Sequence, residues 1–203
     1  MSTTAGALAK RPSSVLKPDG GRYTWLEILR DLSNGQRELM MRAGVAPRFE
    51  DLVGWEFGGG NTPPIYRLIG IRKFVKGFYE GPPRAKKGPE PFIQGYNIDV
   101  VNDADDAPHT MKLKNGVPRR YGFYRVHRVV EGSRDDRYPN ALLLDYSLGG
   151  NGLFGPPLRD YLVQVYPDDP DLLLGKAYIN VLGLRIPANF FVLKRLHPHD
   201  FHG

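Results

Sequence analysis

The chain has 203 residues, of which 41% are hydrophobic and 25% charged, a composition typical of a folded domain and not of a disordered segment. It contains no cysteine, which excludes disulfides, thiolate metal sites and cysteine nucleophiles. Lysine and arginine (28) outnumber aspartate and glutamate (22), giving a formal net charge of +6, but the cations are scattered along the chain and do not predict a nucleic-acid partner.

Residues 1–21 are rich in small and polar side chains and lack the apolar core, about 7 to 15 residues long, of a secretory signal. No window approaches the ~20 apolar residues that a membrane-spanning helix needs. Together with the absence of cysteine, this predicts a cytoplasmic protein without a membrane span. We expect a flexible arm over residues 1–21 and one domain over residues 22–203, divided into a helical cap (22–44) and a β-barrel (51–196).

A strong helix start follows the arm. Thr24 and Glu27 have the spacing of a capping box, and leucines recur behind them at helical spacing. A second short helix is predicted over Gln36–Ala43, ended by Gly44. Apolar stripes of this kind usually pack on a core, so we interpret both helices as a cap on the sheet, with a partner-binding helix as the alternative.

A glycine-rich stretch comes next. Asp51–Gly60 predicts a short strand that runs into a glycine loop, followed by a helix over residues 61–69. The glycine spacing matches neither a dinucleotide-binding fingerprint nor a phosphate-binding loop, so phosphate binding is not favoured. Ile71–Tyr79 predicts the next strand; the alternative is one long helix that continues to Tyr79 and has to accommodate Gly70 and Gly77.

The remaining chain alternates strand-like runs with turn-forming residues. Strands are predicted over Phe92–Val101, Gly122–Val130, Ala141–Ser147, Arg159–Tyr166, Leu173–Leu182 and Asn189–Leu196. A hairpin turn is predicted at Asn115-Gly116, and breaks are predicted at Leu148–Pro157 and Gly183–Pro187. Short strands at this spacing predict a mainly β fold, either an antiparallel sandwich or a barrel.

Several of these segments together are similar to a known family. The segments are Trp55, Arg128-Val129, Ala141–Tyr146, Pro157–Leu162, Asp168-Asp169 and Leu173–Gly175. Their order resembles a bacterial calycin-like family that opens with a Gly-x-Trp-x-Gly motif. The resemblance implies an antiparallel calycin-like β-barrel, related to lipocalins and fatty-acid-binding proteins, and it does not transfer a ligand.

Small closed barrels either fill their interior with side chains or hold one small ligand. We predict the second case, with an apolar or amphipathic molecule bound by aromatic residues and no cofactor. The candidate lining residues are Trp55, Phe92, Tyr96, Tyr124, Tyr146, Tyr161, Tyr178 and Phe191. Strand alternation cannot turn all of them inward. Arg125 and His127 share one strand face and would anchor a polar head group if that face is the inner one; otherwise both lie on the solvated outer face.

Two other functions remain open at this stage. One is an enzyme on the same barrel that uses His127 with Asp145 or Asp160 as acid–base partners. The other is a protein-interaction module with a filled barrel, and a homo-oligomer is compatible with each reading. No metal site is predicted, because the acidic loop Asp103–His109 lacks the glycine and the terminal glutamate of a calcium-binding hand.

Overall fold

The computed structural model describes residues 15–63, 70–82, 93–151, 157–182 and 184–203. The helices are α1 (Trp25–Arg30), α2 (Asn34–Ala43) and α3 (Phe49–Leu52). The strands are β1 (Trp55–Asn61), β2 (Lys73–Glu80), β3 (Ile93–Asp99), β4 (Leu113–Lys114), β5 (Val117–Pro118), β6 (Arg120–Arg128), β7 (Leu142–Asp145), β8 (Leu158–Tyr166), β9 (Asp169–Val181) and β10 (Leu184–Pro198). Among these residues the chain is mainly β, as predicted.

Eight antiparallel strands close into a barrel in the order β1-β10-β9-β8-β7-β6-β3-β2. Each barrel strand pairs with the next barrel strand along the chain, and β10 closes the barrel on β1. The short β4–β5 hairpin stands apart from the barrel and turns at Asn115-Gly116, where both residues have positive φ. This confirms the predicted antiparallel barrel, and the arrangement is consistent with a calycin-like fold.

The N-terminal helices cover the outer face of the barrel. Thr24 and Ser33 each close a capping box, and the second box starts α2 two residues before the predicted position. The helices bury Ile28 and Met40 against the outer faces of β8, β9 and β10. Ahead of them, Val15 is also buried in this layer. The predicted helical cap is therefore present.

Two predicted breaks are wrong. The glycines Gly58–Gly60 are strand residues of β1 and not a loop. In the strand, the missing side chain of each glycine leaves space that a bulky neighbouring side chain fills. Most of the predicted break at Gly183–Pro187 belongs to a strand, since β10 begins at Leu184, and its register shifts only between Pro187 and Asn189. The helix predicted over residues 61–69 lies mostly outside the described residues.

Aromatic rings lie directly over glycines in the barrel wall. The cross-strand pairs are Gly59–Phe74, Gly77–Tyr96, Gly95–Tyr124 and Gly175–Phe191. In each pair, a Cβ atom on the glycine would overlap the ring opposite. The rings therefore lie flat across the neighbouring strand, an arrangement that buries the glycine backbone and fixes the ring orientation.

The barrel interior has two different halves. At one end, the side chains of Phe57, Phe78, Val126 and Leu193 fill the interior, and Leu52 of α3 closes it. The rings of Phe57 and Phe78 meet edge to face at 5.7 Å between centroids. Among the residues that the structure describes, the opposite end contains a cavity; we call this end the open half, and it forms the candidate site.

We expect Gly175→Ala to lower the free energy of unfolding by about 1–3 kcal/mol, because the new methyl group displaces the Phe191 ring from its position over the strand. Gly35→Ala in α2 is the matched control, since its Cβ would meet nothing closer than Ser33 Oγ at 3.8 Å. Alanine favours helix over glycine, so the control should be as stable as the wild type or more so. Equal denaturation midpoints for Gly175→Ala and the wild type would contradict the pairing argument.

Candidate functional site

The open half of the barrel contains a cavity of about 450 Å³. It lies at the end where β1, β7 and β9 finish and β2, β6 and β8 begin. Its apolar wall is formed by Ile71, Phe74, Leu158, Ala177, Ile179, Ala188 and Phe191. Its size and apolar wall are those of a small-molecule site.

Four polar side chains meet at the cavity and bond to one another. Lys76 Nζ donates to Tyr146 Oη (2.6 Å) and to Asn97 Oδ1 (3.0 Å), and it pairs with Asp160 Oδ2 at 3.1 Å. The Tyr146 hydroxyl donates in turn to Asp160 Oδ2 at 3.0 Å. Lys76 and Asp160 are 2% and 3% exposed, so this is a buried ion pair within a hydrogen-bonded group. We call these four residues the polar cluster.

Strand alternation explains why both charges face inward. Lys76 lies between Phe74 and Phe78, which belong to the interior core, so all three side chains point to the same side of β2. Asp160 lies in the same way between Leu158 and Leu162 on β8.

Aromatic rings surround the Lys76 ammonium. Its Nζ lies 4.7 Å from the centroid of the Tyr124 ring, 5.2 Å from Tyr146, 5.3 Å from Phe191 and 5.5 Å from Phe74. Ring faces attract cations, most strongly where water is excluded. Tyr124, Phe191 and Phe74 are three of the rings that lie over glycines, so the barrel wall itself holds this cage in place.

Burial controls the protonation of the cluster. Removal from water lowers the pKa of Lys76, and the neighbouring Asp160 carboxylate works against that shift. Burial raises the pKa of Tyr146 well above its usual value, so the hydroxyl keeps its proton and serves as a donor. The ion pair has no net charge, and the site is therefore polar but neutral.

One acceptor of the cluster is unused. Asp160 Oδ2 receives the bonds from Lys76 and Tyr146, whereas Asp160 Oδ1 is buried and has no hydrogen-bond partner among the residues that the structure describes. A buried carboxylate oxygen without a donor is unusual and points to a missing partner.

The aromatic residues predicted as ligand contacts are distributed over the molecule. Tyr146 and Phe191 line the cavity, and Tyr124 contacts Lys76 beside it. Tyr161 and Tyr178 instead face outward and pack beneath the helices. The alternation that turns Leu162 and Ala177 inward turns their neighbours outward.

Two further predicted contacts lie away from the cavity. The Tyr96 ring covers Gly77 on the outer face of the barrel, where its hydroxyl donates to Glu56 at 2.8 Å. Trp55 packs at the filled end, and the Arg195 guanidinium lies 4.4 Å from its ring centroid. Phe92 lies outside the described residues.

The predicted polar anchors are on the other side of the wall. Tyr124 and Val126 point inward from β6, so Arg125 and His127 point outward. Neither residue belongs to the cavity lining of the described chain. His127 Nδ1 lies 3.0 Å from the Arg128 carbonyl oxygen. The buried cation in the described cavity lining is Lys76, which is not among the predicted residues.

Asp145 and Asp160 also face opposite sides of the wall. Asp145 pairs with Arg159 at 3.0 Å and accepts a hydrogen bond from the Ser147 hydroxyl, whereas Asp160 points into the cavity. His127 lies on the outer face, so the structure does not bring it together with Asp160 as an acid–base pair.

The acidic loop is engaged in ion pairs. Asp103 pairs with the buried Lys73 ammonium at 2.6 Å, and this ammonium also donates to three backbone carbonyl oxygens of the loop. Asp105 pairs with Arg30 and Arg72. A lysine side chain thus holds the centre of this loop.

A pattern in β2 could have indicated Lys76. In the sequence Phe74-Val75-Lys76-Gly77-Phe78, the lysine is in phase with two phenylalanines. Residues i, i+2 and i+4 of a strand line one face, so Lys76 shares its face with two large apolar side chains. Asn97 gave no comparable signal, because it lies on the more polar face of its strand, in phase with Gly95 and Asp99.

Comparison with protein-family models, curated proteins and solved structures found no match to this chain. In the described part of the chain, the helices are all too short or too polar to cross a membrane.

We expect Lys76→Met to lower the free energy of unfolding by about 3–5 kcal/mol, because it leaves Asp160 buried without a counter-ion. The double variant Lys76→Met with Asp160→Leu removes both charges and should recover most of that loss. Denaturant unfolding of the wild type, the single and the double variant tests this. A double variant no more stable than Lys76→Met would show that the two charges are not coupled.

His109 gives a pH prediction. Burial lowers its pKa to about 4, and its Nε2–H donates to the Gly59 carbonyl oxygen at 3.1 Å while the ring packs on Gly58. Since the unfolded imidazole titrates near 6.5, this neutral histidine supports the fold fully above pH ~6.5, and its contribution is lost as the pH falls toward 4.

We expect wild-type stability to fall by about 2 kcal/mol more than that of His109→Gln between pH 6.5 and 4, a value that allows for the partial exposure of the ring. Urea unfolding of both proteins across this range measures the difference. The carboxylates are the same in both proteins, so their contributions to the pH dependence cancel. Parallel pH curves would contradict the assignment.

Proposed function

We propose that the protein binds one small amphipathic molecule in the barrel cavity. The observation that carries the proposal is the contrast inside the barrel, where one half is filled by core side chains and the other is an apolar cavity that meets the polar cluster. A ligand site is expected to combine an apolar wall with a few placed polar groups. The resemblance of the sequence to the calycin-like family supports the same proposal.

The cavity limits the size of the ligand. At the ~30 Å³ that a water molecule occupies in the liquid, 450 Å³ corresponds to roughly 15 non-hydrogen atoms. The apolar body would lie against Phe74, Phe191 and Ala177, and the polar end would reach Asp160 and Asn97. Tyr146 and Phe191 stay candidate contacts from the sequence, and Lys76 takes the place of Arg125 and His127 as the cation of the site.

The two alternatives gain less support. An enzyme that uses His127 with Asp160 would need side chains that the barrel wall separates. His127 and Asp145 share the outer face, away from the cavity, and Asp145 is paired there with Arg159. An interaction module with a filled barrel would need an interior without a cavity. A cytoplasmic location, a single domain over residues 22–203 and a homo-oligomer stay predictions.

We expect Ala177→Leu to weaken binding at least ~10-fold, because the larger side chain occupies the cavity beside Asp160. The probe is N-phenyl-1-naphthylamine, a neutral fluorophore of suitable size whose emission rises in an apolar site. The matched control is Ala104→Leu, the same change at an exposed loop position, which should bind like the wild type. The absence of a saturable signal with the wild type, or equal affinities for wild type and Ala177→Leu, would overturn the proposal.

A further inference from the structure

The polar cluster also restricts the chemistry of the ligand, an inference that rests on the proposed function. We infer that the polar end of the ligand is an uncharged hydrogen-bond donor, such as an alcohol. Asp160 Oδ1 would accept the hydrogen bond from this group. A carboxylate head group, which a buried lysine would suggest at first sight, is disfavoured.

Lys76 has no free N–H to offer an anion. A lysine ammonium has three donors, and those of Lys76 have three acceptors within the cluster: Tyr146 Oη, Asn97 Oδ1 and Asp160 Oδ2. The surrounding rings occupy the space on its other sides. A ligand carboxylate would have to break one of these bonds before it could pair with the cation.

Asp160, by contrast, has an acceptor to spare. Its Oδ1 atom is buried and lacks a donor within the described chain, while the residue itself lines the cavity. Leaving a charged acceptor unsatisfied is costly, so a donor delivered by a ligand recovers that free energy on binding. The Tyr146 hydroxyl cannot serve, since it already donates to Asp160 Oδ2.

The charge balance points the same way. Lys76 and Asp160 cancel, and the other described lining residues carry no charge, so any further charge would be buried without a counter-ion. A carboxylate would in addition lie next to the Asp160 carboxylate. A neutral hydroxyl adds no charge and supplies the missing proton donor.

Three probes built on an unbranched ten-carbon chain separate these cases on the unmodified protein: 1-decanol, its methyl ether 1-methoxydecane, and decanoate. The ether keeps an acceptor oxygen but has no donor, and decanoate at pH 8 is an anion. Affinities are measured by displacement of N-phenyl-1-naphthylamine and checked by native mass spectrometry. We expect 1-decanol to bind at least ~10-fold more tightly than either of the others, because it alone can donate to the unpaired carboxylate oxygen.

The isosteric variant Asp160→Asn tests the acceptor itself. Its amide oxygen can still accept from Lys76, and its N–H₂ replaces the unpaired oxygen with a donor. We expect the preference for 1-decanol over 1-methoxydecane to disappear and decanoate to gain affinity, because Lys76 loses its counter-ion. Glu56→Gln is the matched control, a buried carboxylate on the outer face of the barrel that accepts from Tyr96; it should keep the wild-type order.

The outcomes distinguish the two proposals. If the fluorophore and all three probes fail to bind, the proposed function falls and the head-group assignment falls with it. If the fluorophore binds and Ala177→Leu excludes it, but the ether matches the alcohol or decanoate binds best, only the head-group assignment is overturned. The wild-type comparison stands even if Asp160→Asn does not fold.

Discussion

The site depends on the contact between aromatic rings and glycines in the barrel wall. Glycine at position 59, 95 and 175 lets the rings of Phe74, Tyr124 and Phe191 lie across the neighbouring strand. Those rings then define the wall beside Lys76 and leave space above it. A side chain at any of these glycines would push a ring inward. The glycines therefore shape the cavity although none of them lines it.

The buried ion pair is better explained by specificity than by stability. Taking Lys76 and Asp160 out of water is costly, and apolar residues of similar volume often serve a fold equally well. Within the described residues the pair is satisfied only in part, since Asp160 Oδ1 has no hydrogen-bond donor. A barrel that needed only a core could fill this half as it fills the other. The polar cluster and the cavity beside it thus distinguish this half of the barrel from the filled half.

The sequence predicted the fold better than the site. Alternation and turn residues were enough for the strands, because a wrong register would expose an apolar face. Alternation did not determine which face of β6 is the inner one, because both faces carry apolar and basic residues. In the structure, β6 pairs with β7, and Tyr124 points inward while Arg125 points outward. The sequence suggested a loop at Gly58–Gly60, because the side chains that pack on these glycines lie elsewhere in the sequence. His109, for example, packs on Gly58, and Phe74 packs on Gly59. Contacts distant in sequence decided each of these points.

Closure of the barrel by β10 also affects how the protein folds. This strand pairs with β1 across most of the chain, Trp55 opposite Pro198, and it supplies Ala188 and Phe191 to the cavity. Contacts so distant in sequence form slowly, since a long loop must be ordered before they can stabilise it. During synthesis the cavity is incomplete until β10 has emerged from the ribosome. The two halves of its wall are thus assembled from strands that are translated at well-separated times.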